Sequence, residues 1–215
     1  MDVGILGTGV VGCTLGSGFV GLGHTVKMGS REAGNERAAQ WAAGAGDRAS
    51  TGTFADAAVF GEVVVLATAW SGTENALRLA GPDHLAGKVL IDATNPLASA
   101  APDSPPGLAV GHTDSGGEQV QRWLPGARVV KAFNTVGNAH MVHPDLPGGP
   151  PDMFICGDDP GAKDVVTGIL ADFGWPAVDV GGIEGARLLE PMCILWVLYG
   201  LRTGTWGHAF KLLRG

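Results

Sequence analysis

Gly7, Gly9 and Gly12 form the spacing G-x-G-x-x-G, directly after the apolar run at residues 3–6. Just beyond it, Val10, Val11, Leu15, Phe19 and Val20 recur at nearly helical spacing. A glycine turn between a strand and a helix is suited to holding a pyrophosphate. The first glycine permits the tight turn, the second lets the backbone approach the phosphates, and the third allows helix and strand to pack closely. The N–H groups and dipole of the helix then face the anion, and the Thr8 hydroxyl can add to them. A dinucleotide site built this way places an acidic residue at the end of the second strand when it accepts NAD. Here that position reads Lys27, Met28, Gly29, Ser30, Arg31, with no carboxylate. A hydroxyl beside a guanidinium matches the additional 2′-phosphate of NADP through charge-assisted hydrogen bonds, so NADP is the expected cofactor. Arg37, about one helical turn on, is a weaker second contact. The plainer alternative makes Arg31 a solvated loop charge and Ser30 a helix cap.

The elements that must carry these residues follow from periodicity. Strands are expected at residues 3–6, 24–28, 63–67, 88–93 and 128–133, and helices at 36–45, 54–60 (capped by Thr53), 73–79 and 118–123. Strands such as 3–6 and 63–67 are apolar on every residue, and the strands alternate with helices, which predicts a parallel sheet covered on both faces. Residues 102–117, rich in Pro, Gly, Ser and Asp, read as a loop. Four prolines and two glycines within residues 142–152 mark a boundary, giving a nucleotide-binding domain over 1–150 and a smaller segment over 151–215. In that segment a strand at 153–156, a helix at 162–173, a strand at 177–180 and a long helix from about residue 184 are expected. The fold class is therefore α/β, a doubly wound Rossmann-type parallel sheet with a small C-terminal α/β extension. Gly16 and Gly18 read as helix-packing positions.

Ligands of such sheets lie beyond the carboxyl ends of the strands. Those ends carry Thr68, Ala69 and Trp70, then Asn95 and Pro96, then Asn134, Thr135 and Val136. Small, hydroxyl and amide residues with one indole suit a carboxamide attached to a flat ring. Asn134 and Thr135 are the candidates for positioning the reacting ring.

Composition removes several other classes. The net charge of -7 and the absence of a basic run argue against nucleic acid as a partner. Cys13, Cys156 and Cys193 are far apart and odd in number, which argues against a disulfide framework or zinc cluster and fits a reducing cytoplasm. His140 and His143 lack a third ligand at a recognisable spacing, so no metal is expected, and Asp158 and Asp159 read as a turn and helix start. The apolar stretch at 192–201 is closed by Arg202 and falls short of the roughly 20 residues a bilayer requires. No membrane partner is expected.

Six segments resemble the F420-dependent NADP reductases and, through the same domain, the cytosolic part of six-transmembrane ferric reductases. They are ILGTGVVG at 5–12, GSR at 29–31, DATNPL at 92–97, VKAFNTV at 130–136, ICGDDPGAKDVV at 155–166 and ARLLEPMCILW at 186–196. The resemblance implies that Thr8, Ser30 and Arg31 hold phosphates, that Ala69, Trp70, Asn95 and residues 134–136 lie near the nicotinamide, and that a C-terminal domain helps close the pocket. It further implies Arg187 as a contact to the second substrate, and a homodimer, with which the apolar final helix agrees. Hydride transfer between two stacked rings needs neither a protein nucleophile nor a metal. Two kinds of protein remain: an NADPH-dependent oxidoreductase with coenzyme F420 or a flavin as acceptor, and a non-catalytic NADP-binding redox sensor.

Overall fold

In the computed structural model residues 1–98 and 106–215 are described; positions 102–105 of the expected loop lie outside them. Six strands, β1 (Asp2–Leu6), β2 (Thr25–Ser30), β3 (Ala49–Thr53), β4 (Val63–Leu66), β5 (Val89–Asp92) and β6 (Arg128–Lys131), form one sheet in the order β3-β2-β1-β4-β5-β6. Every neighbouring pair is parallel. The chain steps outward from β1 in one direction and then from β4 in the other, so the connections leaving β1 and β4 diverge and open a crevice at their carboxyl ends.

The unbroken apolar runs have a direct explanation in this sheet. Val3, Ile5, Val63, Val65, Val89 and Ile91 belong to one core layer, while Leu6, Val64, Leu66 and Leu90 belong to the other. Successive side chains on a strand point to opposite faces, and both faces are covered by helices, so apolar side chains fill the strand interiors, with buried Ser30, Asp92 and Lys131 at the ends of β2, β5 and β6 as exceptions. Each fully buried aliphatic side chain contributes about 1.5–3 kcal/mol relative to exposure. The covering helices are α1 (Val10–Gly21), α2 (Glu36–Ala45), α3 (Phe54–Phe60), α4 (Trp70–Ala80), the short α5 (Pro82–Leu85) and α6 (Gly116–Trp123). Gly16 and Gly18 do pack closely: a Cβ there would stand 2.8 Å from Trp41 and 2.6 Å from Val142.

Beyond residue 152 the chain forms β7 (Met153–Ile155), α7 (Pro160–Asp172), β8 (Ala177–Asp179) and α8 (Ala186–Thr203). β7 and β8 pair in parallel. Lys131 and Cys156 exchange backbone hydrogen bonds in an antiparallel bridge, which lays this segment along β6. Val166, Ile169, Leu170 and Phe173 share the core layer of Ile5 and Phe19. Asp159 caps α7 by accepting from the Ala162 N–H, and Asp158 accepts from that of Ile183, the turn roles their sequence context suggests.

Two elements were not foreseen, and α4 begins at Trp70, three residues before the expected start at residue 73. β3 has the sequence ASTGT and lies at the sheet edge, where side chains have little apolar surface to cover and the pairing with β2 supplies the order. α5 is a single turn started by Pro82. Directly after β3, Thr53 caps α3 as expected, in a reciprocal capping box with Asp56.

Candidate functional site

β1 ends on buried Leu6, and the chain turns at Gly7 with φ of 130°. A Cβ on Gly7 would meet the Ala67 carbonyl oxygen at 2.4 Å, and one on Gly12 would meet the Gly7 oxygen at 2.3 Å. Gly9 has open space where its Cβ would lie, so a side chain there would intrude on whatever occupies the crevice. α1 begins without a side-chain cap and without an acidic residue in its first turn. Its leading N–H groups therefore remain available, and the positive end of the helix dipole is not neutralised from within the helix. Backbone and glycine together form an anion cradle.

Two openings meet over this turn. One, of about 510 Å³, is lined by residues including Gly7, Thr8, Gly9 and Arg31. The other, of about 460 Å³, has Val10, Val11, Trp70, Thr94 and Asn95 among its walls. They share Gly9, Ala67, Thr68, Ala69 and Ser71, so a continuous groove crosses the carboxyl ends of β1, β4 and β5. A groove with a cationic end, a glycine centre and an amide-bearing end has the layout a dinucleotide requires.

The predicted residues divide into those that line this groove and those behind or beyond it. Gly7, Thr8, Gly9, Val10, Val11, Arg31, Thr68, Ala69, Trp70 and Asn95 line it. Ser30 is buried and its hydroxyl donates to the Glu32 carbonyl, closing the turn that presents exposed Arg31. Arg37 is exposed and lines neither opening. Pro96 is buried beneath the groove, and its carbonyl accepts from the Ala109 N–H. Trp70 stacks on Trp123, with ring centroids 5.6 Å apart.

Asn134, Thr135 and Val136 are buried one layer behind Asn95. Asn95 Nδ2 donates to the Asn134 carbonyl at 2.9 Å, and Asn134 Nδ2 donates to Asn95 Oδ1 at 3.1 Å and to the Leu189 carbonyl at 2.9 Å. Asn134 thus joins the groove wall to α8. Arg187 faces a different cleft of about 970 Å³, between residues 107–112 and α8, with Leu188, Pro191, Ile194 and Leu195 along its apolar side. Its guanidinium pairs with Glu118, Nε to Oε2 at 2.8 Å, and holds that carboxyl below the usual range. Leu97 of the groove bridges to Leu108 of this cleft, so a two-residue wall separates them.

Sequence reasoning missed a buried ionic cluster beneath the amide end. Asp92 ends β5, Lys131 ends β6 and Glu190 lies in α8; all three are fully buried. Lys131 Nζ is 2.7 Å from Asp92 Oδ2 and 3.1 Å from Glu190 Oε1, and donates to the Thr94 carbonyl at 2.9 Å. Glu190 also accepts from the Gly116 and Gly117 N–H groups at the start of α6. Burial alone would lower the Lys131 pKa, but Asp92 and Glu190 outweigh it and the ammonium is held more firmly protonated than usual. Burial raises the Glu190 carboxyl despite the opposing lysine and backbone donors. The available signal was a charge set among apolar residues in each of three segments, Asp92 in KVLIDA, Lys131 in RVVKAF and Glu190 in ARLLEPMCILW.

Burial weakens the thiols as nucleophiles: it pushes Cys156 up to about 12 and Cys193 up to about 11, and it also raises half-buried Cys13. Among the described residues no group of three His, Cys, Asp or Glu is placed to hold a metal ion, and no helix is long and apolar enough to cross a membrane.

Comparison with known proteins agrees with this geometry. Residues 2–96 match the family model for NADP oxidoreductase, coenzyme F420-dependent. The chain is 32% identical over 220 residues to the F420-dependent NADP reductase of Methanothermobacter thermautotrophicus, covering 94% of this chain and 90% of that one. It is 31% identical over 189 residues to rat Metalloreductase STEAP3, covering 87% of this chain but only 35% of that larger protein. The crystal structure of a candidate F420-dependent NADP reductase from Arthrobacter sp. FB24 superposes with a TM-score of 0.92 at 37% identity, over 99% of both chains. The glycine cradle, the groove across the strand ends and these relatives together place the chain in the F420-dependent NADP reductase family, as an NADP-dependent oxidoreductase.

Proposed function

We propose that the protein transfers a hydride between NADP(H) and the deazaflavin ring of coenzyme F420. The observation that carries this reading is the single groove with Arg31 at one end and Asn95 and Trp70 at the other, joined by the uncapped start of α1. The first-turn N–H groups of α1 hold the pyrophosphate, and Arg31 pairs with the 2′-phosphate, supported by the Ser30 turn; Arg37 is a remoter contact. Thr68, Ala69, Trp70 and Asn95 border the nicotinamide, with Pro96 beneath them. Asn134, Thr135 and Val136 act from behind, fixing Asn95 so that the reacting carbon meets the acceptor at a productive distance.

When bound, NADPH supplies the hydride; a proton from solvent completes the reduced acceptor. The chain supplies orientation and exclusion of water, so no side chain has to form a bond to substrate. In this reading residues 1–150 carry the cofactor and residues 151–215 border the acceptor side, where the cleft beside Arg187 gives a deazaflavin tail an apolar wall and a cation. The exposed Tyr199 and Leu201 of α8 are read as contacts with a second copy of the chain in the cytoplasm.

The similarity to a metalloreductase makes a flavin the competing acceptor. Following NADPH oxidation by the absorbance of the reduced nicotinamide, with F420, FMN or FAD as sole acceptor, decides between them. Turnover with F420 well above that with either flavin is expected. Turnover only with flavins would reassign the acceptor, and tight NADPH binding with no turnover at all would leave a sensor.

A further inference from the structure

Lys131 has three N–H donors and three partners, each on a different part of the molecule: Asp92 on β5, Glu190 on α8 and the Thr94 carbonyl in the turn after β5. Asp92 completes the hold on that turn, its Oδ1 accepting from the Thr94 N–H at 2.9 Å and from the Thr94 hydroxyl at 2.7 Å. Every polar atom of Thr94 is thus bonded to one of two buried charges. Thr94 and Asn95 line the amide end of the groove, whereas the three charged residues touch no part of it. Apolar residues of similar volume commonly fill such a space with equal or better stability, because burying ions costs desolvation. Stability therefore does not by itself account for a lysine here.

We propose that Lys131 is a positioning residue for the nicotinamide end of the cofactor, locking the 93–95 turn to both β5 and α8 through Asp92 and Glu190. This rests on the reading that the groove takes NADP(H). The device acts on one end only: the glycine cradle lies between β1 and α1 and Arg31 directly after β2, and the hydrogen bonds and ion pairs of the three charges go elsewhere.

The test compares two ligands on purified full-length protein by calorimetry: NADPH, which fills both ends, and adenosine 2′,5′-bisphosphate, which fills only the adenine end. For Lys131→Met the expected result is an unchanged affinity for the bisphosphate and an NADPH affinity weaker by about tenfold. The hydride-transfer rate at saturating NADPH should fall by about 100-fold, the scale of a misplacement near 1 Å. Should Lys131→Met fail to fold, Asp92→Asn keeps the ammonium paired with Glu190 and should show the same pattern at smaller amplitude. Equal loss of both ligands, or of neither with an unchanged rate, overturns the inference. A wild-type protein that binds neither ligand overturns the NADP reading itself.

Discussion

The two ends of the groove are built in different ways. At the end proposed for the adenine, the cradle comes from residues 7–12 and the cation from Arg31, all within one strand-helix-strand passage, and the groups on offer are backbone N–H groups and one exposed side chain. At the amide end, Thr94 and Asn95 are held by residues 37 and 39 positions away and, through Glu190, by a helix near the chain's end. The first end depends on local geometry that glycine permits. The second depends on a buried charge cluster that exists only when β5, β6, α6 and α8 have assembled. On the proposed function, binding strength should therefore be alterable at one end and hydride alignment at the other.

The largest expected effect is on stability. Lys131→Met leaves two buried carboxylates without their cation and should cost about 3–5 kcal/mol, read as a lowered urea midpoint. If the loss proves as small as that of a surface charge, the cluster does not hold the amide end together. At the adenine end, Gly7→Ala forces a Cβ against the Ala67 carbonyl at a positive φ and should cost about 1–3 kcal/mol, again by urea titration, with NADPH affinity reduced as well. A Gly7→Ala protein that binds NADPH normally would remove the glycine turn from the account.

The smallest effect provides the surface control. Arg122 pairs with partly exposed Asp114 and holds its carboxyl at about 2, below the ordinary 3.8. A depressed folded pKa contributes stability above pH 3.8 that is lost as pH falls toward 2. For so exposed a pair the contribution should stay below about 1 kcal/mol. Urea midpoints at about pH 5 and about pH 2.5 should differ slightly less in Asp114→Asn than in wild type.

This contrast also explains what could be read from the chain beforehand. The sheet, its helices and the glycine turn were legible because each is encoded by contiguous residues: five short, largely apolar runs and a G-x-G-x-x-G at a strand-helix junction. β3 was not legible, because ASTGT has small and polar side chains and its order comes from pairing with β2. At the site, the residues lining the adenine end were identified by position in a motif. Asn134, Thr135 and Val136 were expected directly after a strand; β6 ends earlier, at Lys131, and that the Asn134 side chain turns to Asn95 and Leu189 follows only from three-dimensional contacts. Arg187 likewise carries no local signal that it pairs with Glu118, 69 residues earlier. The cluster of Asp92, Lys131 and Glu190 appeared in sequence as three isolated charges, and nothing in their spacing joins them.

The most direct test of the central claim is calorimetric titration of wild type and Arg31→Ala with NADPH and NADH. Wild type should bind NADPH more tightly by about 10- to 100-fold, the range expected for hydrogen bonds to a charged group, and Arg31→Ala should abolish most of that preference while leaving NADH unchanged. Equal binding of the two nucleotides to wild type would contradict the assignment of Arg31 to the 2′-phosphate and, with it, the orientation of the cofactor in the groove.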